Sequence, residues 1–430
     1  MSTCFEACIL PNPSSTSNWE CTKTIVGIRK IVEKKKDSFT SNGSVSNNVD
    51  KATSWMEEME ALYGGPGAYD VLRCDLSYDH DRLKMNHFIW GLEFHLNRLQ
   101  MSFQDLLLHH GKIHEFKRHD EITGKDMIDG ALTQSKTIIE SLVHKVCEDY
   151  EKLLSCASKS SVDKASEDTK HIIIVKLTIF WAGTNSGSGT TCVNVRGHAF
   201  TDGKVVNPLT RPTHIVASLA IPSTYDEAIK DKRQHSIPNR LDSPQAKISS
   251  WSRERKVFQQ QSTFKPSGVY EVLLLDTEIH SNLYNDWTRY EVLEGITSNF
   301  FAIYNDNTFR TATSKVLFGY IRHLVLEFAD KCGLKLDPRP CKLEDARNGL
   351  WKEAFITSSS RLIYPIKQIL IPKYEEISIT KDDNNIHPTS FEEIWRDKEF
   401  NEKTQTNPKW ELLLNEILNH GGYGVDKSKT

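Results

Sequence analysis

The sequence predicts a two-domain α/β protein, and three observations carry that reading. Its 430 residues suffice for two domains with sizeable cores. Strand and helix signals are grouped in the N-terminal half but alternate in the C-terminal half. Between the halves lies a polar stretch, residues 225–243, with Pro238 inside it and Pro244 just beyond, which suits an interdomain linker.

The elements follow in order. Residues 1–50 are rich in Ser, Asn, Thr and Lys and read as a mobile tail. The first domain spans 55–224 and opens with a short helix at Met56–Leu62, the turn Gly64–Gly67 and a strand at Ala68–Cys74. Apolar residues at helical spacing follow over Ile89–Leu108 and Met127–Leu154. Ser-, Lys- and Asp-rich residues 155–170 read as an exposed loop. Ile172–Trp181, Val193–Phe200 and His214–Ile221 read as three strands of one sheet. The Gly/Ser-rich loop Gly183–Thr191 lacks the Lys-Ser/Thr ending of a P-loop and leads into a strand, so it reads as a hairpin connection.

The second domain spans 244–375, with strands at Val272–Asp276, Phe300–Tyr304 and Ala354–Thr357, helices from Trp251 to Gln261 and from Tyr320 to Lys331, and an insertion at His280–Tyr290. Residues 376–430 read as a polar helical extension containing an amphipathic stretch, Phe391–Ile417.

Composition narrows the function classes. Apolar residues make up 38% and charged residues 26%, with a net charge of -3, so no global field draws the chain to nucleic acid or anionic lipid. Nine cysteines without a C-x-x-C pair argue for reduced thiols and a cytoplasmic setting, with no metal site expected. Met1–Ser17 has no basic flank and no long apolar core, so a secretory signal is not expected, and no run reaches the roughly 18 apolar residues that span a bilayer.

The most informative stretch is Glu294-Gly295-Ile296-Thr297-Ser298-Asn299-Phe300-Phe301. It sets one carboxylate at a tight turn, where the glycine admits close approach to the backbone, and anchors that turn with an apolar strand. Lys247 follows Pro244-Gln245-Ala246 and precedes Ser249-Ser250, which can cap a helix from Trp251. Gly319, Tyr320 and Ile321 precede a helix, so their amides lie at its positive end, a natural anion site.

Together these segments, with His95-Leu96-Asn97-Arg98-Leu99 and Phe355-Ile356-Thr357-Ser358-Ser359-Ser360, resemble the class IV aminotransferases of the branched-chain and D-amino-acid type. The likeness runs from about Pro66 to Ile366. It implies a two-domain class IV fold, an N-terminal α+β sandwich and a C-terminal pseudo-barrel, with pyridoxal 5'-phosphate bound between the domains of a homodimer. It further implies that Lys247 is the catalytic Schiff-base lysine and that Glu294 faces the pyridine nitrogen. Arg98, Gly319, Tyr320, Ile321 and Ser359 would hold the phosphate, and Tyr69 and Ser360 would meet the substrate, with Tyr63 a further candidate wall.

The competing lysines Lys256 and Lys265 do not follow the Ala-Lys pattern. Two departures bear on activity: Ile321 stands where the family has a threonine, and Ser252 where branched-chain enzymes have a tyrosine. The expected reaction is amino-group transfer between an amino acid and a 2-oxo acid. The alternatives are an aminodeoxychorismate lyase-like reaction on the same fold, or a non-catalytic binding or scaffold role.

Overall fold

In a computed structural model the chain divides into two compact units, residues 1–207 with 246–252 and residues 208–245 with 253–430. The structure describes residues 3–9, 25–32, 67–79, 84–109, most of 132–148, 171–184, 191–200, 215–219, 243–263, 269–276, 290–373, 390–397 and 408–421. The expected helix at Met56–Leu62, Tyr63, the loop 155–170, Lys265 and all but the last residue of the insertion lie outside these residues.

The first unit holds a six-stranded antiparallel sheet in the order β2-β1-β6-β5-β3-β4. Its strands are β1 (Thr3–Ile9), β2 (Ile25–Val32), β3 (Ala68–Asp79), β4 (Lys84–Ile89), β5 (His171–Thr184) and β6 (Thr191–Phe200). β1 and β2 fall within the segment read from composition as a tail. The β-branched run of β2, with Ile25, Val26, Ile28, Ile31 and Val32, is the local signal that the polar average hides. β5 and β6 pair antiparallel through Thr184 and Thr191, the hairpin connection expected there.

A strand, β4, runs to Ile89, where the periodicity suggested a helix had begun. Gly91 then adopts φ 57, a left-handed turn that favours glycine, and α1 (Leu92–His109) starts beyond it. Leu96, Leu99, Phe103 and Leu106 recur at helical spacing and bury against Leu72 and Val175 of the sheet and against Ile138 and Val143 of the helical residues between 132 and 148. Each such side chain contributes about 1.5–3 kcal/mol by leaving water.

The second unit is built on a ten-stranded sheet. Its strands are β7 (Ile215–Leu219), β8 (Val269–Leu275), β9 (Glu291–Gly295), β10 (Ser298–Tyr304), β11 (Thr308–Arg310), β12 (Lys335–Leu336), β13 (Cys341–Lys342), β14 (Trp351–Ser358), β15 (Leu362–Lys373) and β16 (Ser390–Arg396). β9 pairs with both β8 and β10, so the path β10-β14-β15-β7-β8-β9 closes on itself into a barrel. Closure removes the edges from those six strands. β7 runs parallel to β15 and β8 in this barrel and does not join β5 and β6, contrary to the single sheet expected for the three. Parallel partners distant in sequence leave no mark in local periodicity.

β10 is buried along its whole length, and Phe301 stacks on Phe355 of β14 with centroids 4.9 Å apart. The amphipathic stretch near the C-terminus resolves into β16 and the helix α5 (Lys409–His420), preceded in chain order by α2 (Trp251–Thr263), α3 (Tyr320–Phe328) and α4 (Leu343–Arg347). α5 starts on Glu353 of β14, whose carboxylate accepts the Lys409 and Trp410 amides at 3.0 Å each. A buried carboxylate there meets both the first-turn donors and the positive helix end.

Candidate active site

In the first unit the site grows from β3 and α1. Ala68 bridges Ile248, Tyr69 N donates to Lys247 O at 2.8 Å, and Gly67 N donates to Ser249 Oγ at 2.9 Å, so the lysine segment is laced to the start of β3. From α1, Ser102 Oγ accepts the Lys247 amide at 2.9 Å while donating to Arg98 O at 2.8 Å. Lys247 Nζ lies 5.3 Å from the Tyr69 ring centroid, and Lys176 Nζ lies 5.1 Å from the same ring.

Beneath the lysine sits Asp70, 1% exposed. Its carboxylate takes Arg98 Nε at 2.9 Å and Arg98 Nη2 at 2.5 Å, and its Oδ1 lies 3.2 Å from His95 Nδ1 and 3.9 Å from Lys247 Nζ. Burial works to raise the Asp70 carboxyl, but Arg98, His95 and Lys247 outweigh it and hold the group well below the usual carboxylate range. Burial lowers His95 below its ordinary value; Asp70 pulls the other way, and Arg98 and Lys247 add to the lowering.

In the second unit Glu294 lies one residue before the end of β9, which turns into β10 through the two-residue hairpin Ile296-Thr297, and is 3% exposed. Its Oε2 accepts Asn299 Nδ2 and Leu317 N, each at 3.2 Å. Asn299 also donates to Leu317 O at 2.6 Å and accepts Gly319 N at 3.1 Å. Asn299 therefore ties the carboxylate hairpin to the start of α3. Gly319 leaves room for Asn299, because a Cβ there would lie 2.4 Å from Asn299 Oδ1 and one of the two would have to shift. Gly319 caps α3 with no side-chain hydrogen bond, so no side chain at the cap competes for the first-turn amides.

Ser359 and Ser360 lie in the half-buried turn joining β14 to β15, and Ser358 Oγ is 3.4 Å from Ser360 Oγ. Thr357 is buried just before this turn, and its Oγ1 has no hydrogen-bond partner among the described residues.

The expected residues thus gather into two groups, each within its own unit: Tyr69, Arg98 and Lys247 in the first, and Glu294, Gly319, Tyr320, Ile321, Ser359 and Ser360 in the second. Ile321 is 1% exposed, a core side chain that offers no hydroxyl. Tyr320 is buried too, with its hydroxyl 3.5 Å from His420 Nε2 of α5. Ser252 is buried, while Arg253, Arg255 and Lys256 are half-buried along α2. Sequence reasoning missed Asp70, Ser102 and the linking role of Asn299. A signal for Asp70 was present, since a lone acid inside an apolar strand must find a cation.

A family model described as amino-transferase class IV matches residues 163–369, just under half of the chain. Over those residues the chain is similar to the class IV aminotransferases. No curated protein matches it. Similar solved structures include the branched-chain amino acid aminotransferase of Thermobaculum terrenum in its PLP form, at 16% identity and TM-score 0.41, covering 70% of this chain and 76% of that one. Another is the branched-chain aminotransferase of Escherichia coli, at 16% identity and TM-score 0.44, covering 86% of this chain and 89% of that one. Among the described residues no helix is long and apolar enough to cross a membrane.

Proposed function

We propose that the protein is a pyridoxal 5'-phosphate-dependent aminotransferase moving an amino group between an amino acid and a 2-oxo acid. The observation that carries this reading is the buried Glu294 carboxylate, oriented by Asn299 and the Leu317 amide on the hairpin that closes the barrel. The residues fit the cofactor: the start of α3, without a side-chain cap, suits a phosphate, and the buried Thr357 Oγ1, with no hydrogen-bond partner among the described residues, leads into the turn of Ser359 and Ser360. When bound, pyridoxal phosphate supplies an electrophilic carbon and a protonated ring that withdraws electrons from the substrate.

The chain's own residues do the rest. Lys247 Nζ would hold the cofactor and move the proton at the substrate's α-carbon, its backbone fixed by Ser102 and Tyr69. Glu294 would keep a proton on the ring nitrogen, because an adjacent carboxylate favours the cation. The Tyr320 and Ile321 amides and Ser359 would bind the phosphate, Arg98, its guanidinium gripped by Asp70, would add positive charge, and Tyr69 and Ser360 would meet the substrate. A homodimer, which the family resemblance implies, belongs to the same proposal; light scattering on the purified protein tests it.

A half-reaction tests the activity. Protein loaded with pyridoxal phosphate and given an amino acid without an acceptor should form one equivalent of 2-oxo acid and stop. Turnover should resume on adding a second 2-oxo acid, with a double-displacement rate law. Continuous release of pyruvate from one substrate would instead identify a lyase, and no product with any amino acid would leave a binding role.

A further inference from the structure

Arg361 and Glu271 form an ion pair that the activity above does not use. Glu271 is a β8 residue whose side chain is 1% exposed, so its charge requires compensation, and Arg361 Nη1 lies 3.3 Å from its Oε2. The same Oε2 accepts Thr297 Oγ1 at 2.8 Å and Ser298 Oγ at 2.9 Å, and Arg361 Nη2 donates to Thr297 Oγ1 at 3.1 Å. Thr297 sits in the hairpin directly after Glu294, and Arg361 sits in the turn that carries Ser359 and Ser360. The network leaves no room at the hairpin glycine: a Cβ on Gly295 would lie 2.2 Å from Ser298 Oγ and 3.0 Å from Glu271 Cδ.

The turn on the Arg361 side is also held under strain. Arg361 N donates to Ser358 O at 3.3 Å, and the next residue, Leu362, has φ 57, a left-handed conformation unfavourable for its side chain. Such strain persists where the surroundings over-determine it. Here the guanidinium supplies the anchor, lying 5.0 Å from the Tyr270 ring centroid as well as on Glu271.

We propose that Arg361 is a positioning residue: with Glu271 and Thr297 it locks the Ser359–Ser360 turn to the Glu294 hairpin, setting where that turn offers its donors to an anionic group. The consequence for catalysis rests on the cofactor reading above. Loss of one charge-assisted hydrogen bond in such a lock shifts a dependent binding constant by about tenfold.

The test compares Arg361→Met, Arg361→Lys, Glu271→Gln and the double variant Arg361→Met with Glu271→Gln. In the cofactor-free protein, amide hydrogen exchange should quicken in both 296–299 and 358–362 for either methionine or glutamine single variant. With pyridoxal phosphate, its Kd and the amino-acid KM should each rise about tenfold while kcat changes less than about threefold. Arg361→Lys, which keeps the charge and the fold, should recover part of the loss, and the double variant should be no worse than the poorer single.

Exchange confined to the mutated turn, additive losses in the double variant, or a fall in kcat with unchanged KM and Kd would each overturn the proposal. A wild-type protein that bound no pyridoxal phosphate would overturn the catalytic consequence and the cofactor reading together, while exchange coupling between the two turns would still establish the lock.

Discussion

A carboxylate buried among bases, as Asp70 is, works less as an isolated charge than as a hub. It holds Arg98 by two nitrogens and stands 3.9 Å from Lys247 Nζ. Removing one partner of a buried pair leaves the other uncompensated, so Asp70→Asn should cost about 3–5 kcal/mol of stability, read by urea denaturation. The pH dependence has a definite sign. The folded-state values of both His95 and Asp70 are depressed, so their contributions are present above the unfolded values, 6.5 and 3.8, and are lost as pH falls. Melting temperature should therefore start to drop below about pH 6.5, and His95→Gln should flatten that first decline. At Glu294 the expectation concerns rate: Glu294→Gln should lower kcat by about a hundredfold or more while raising the cofactor Kd far less, since neutral amide and carboxylate differ in keeping the ring nitrogen protonated.

At the scale of elements, the junction between the β9–β10 hairpin and the start of α3 depends on one missing Cβ. Gly319→Ala should push Asn299 away, loosening both its grip on Glu294 and the placement of the first-turn amides. We expect Tm to fall and phosphate affinity to weaken about tenfold, measured by calorimetric titration of the cofactor-free protein with inorganic phosphate. α5 is held in a comparable way from a distance: Glu353→Ala should remove its N-terminal acceptor at a cost of about 1–2 kcal/mol, seen in a thermal melt.

Across the whole molecule, what the sequence made legible was local chemistry, and what it hid was remote pairing. α1 and β10 could be read because four apolar residues repeat at helical spacing in one and an unbroken apolar run fills the other. The Glu294 hairpin was legible because Gly295, Thr297 and Ser298 cluster at and beside the turn, ahead of the apolar run of β10. β15 was obscured by Pro365 and Pro372, whereas β7 was read as a strand but its place in the second sheet was hidden by parallel partners far along the chain. The closure of the barrel through β9 could not be read, since one strand pairing on both sides is a global property. Asp70 and Arg361 were passed over for a related reason: neither belongs to the quoted motifs, and their partners lie on other elements.

The assignment of Lys247 as the residue that holds the cofactor is open to direct measurement. Protein incubated with pyridoxal phosphate, reduced with borohydride and digested should carry a phosphopyridoxyl group on Lys247, found by peptide mass spectrometry. The Lys247→Ala variant should carry none and should lose activity. Modification mapped to Lys256 or Lys265 instead, or an unmodified wild-type protein under saturating cofactor, would contradict the account.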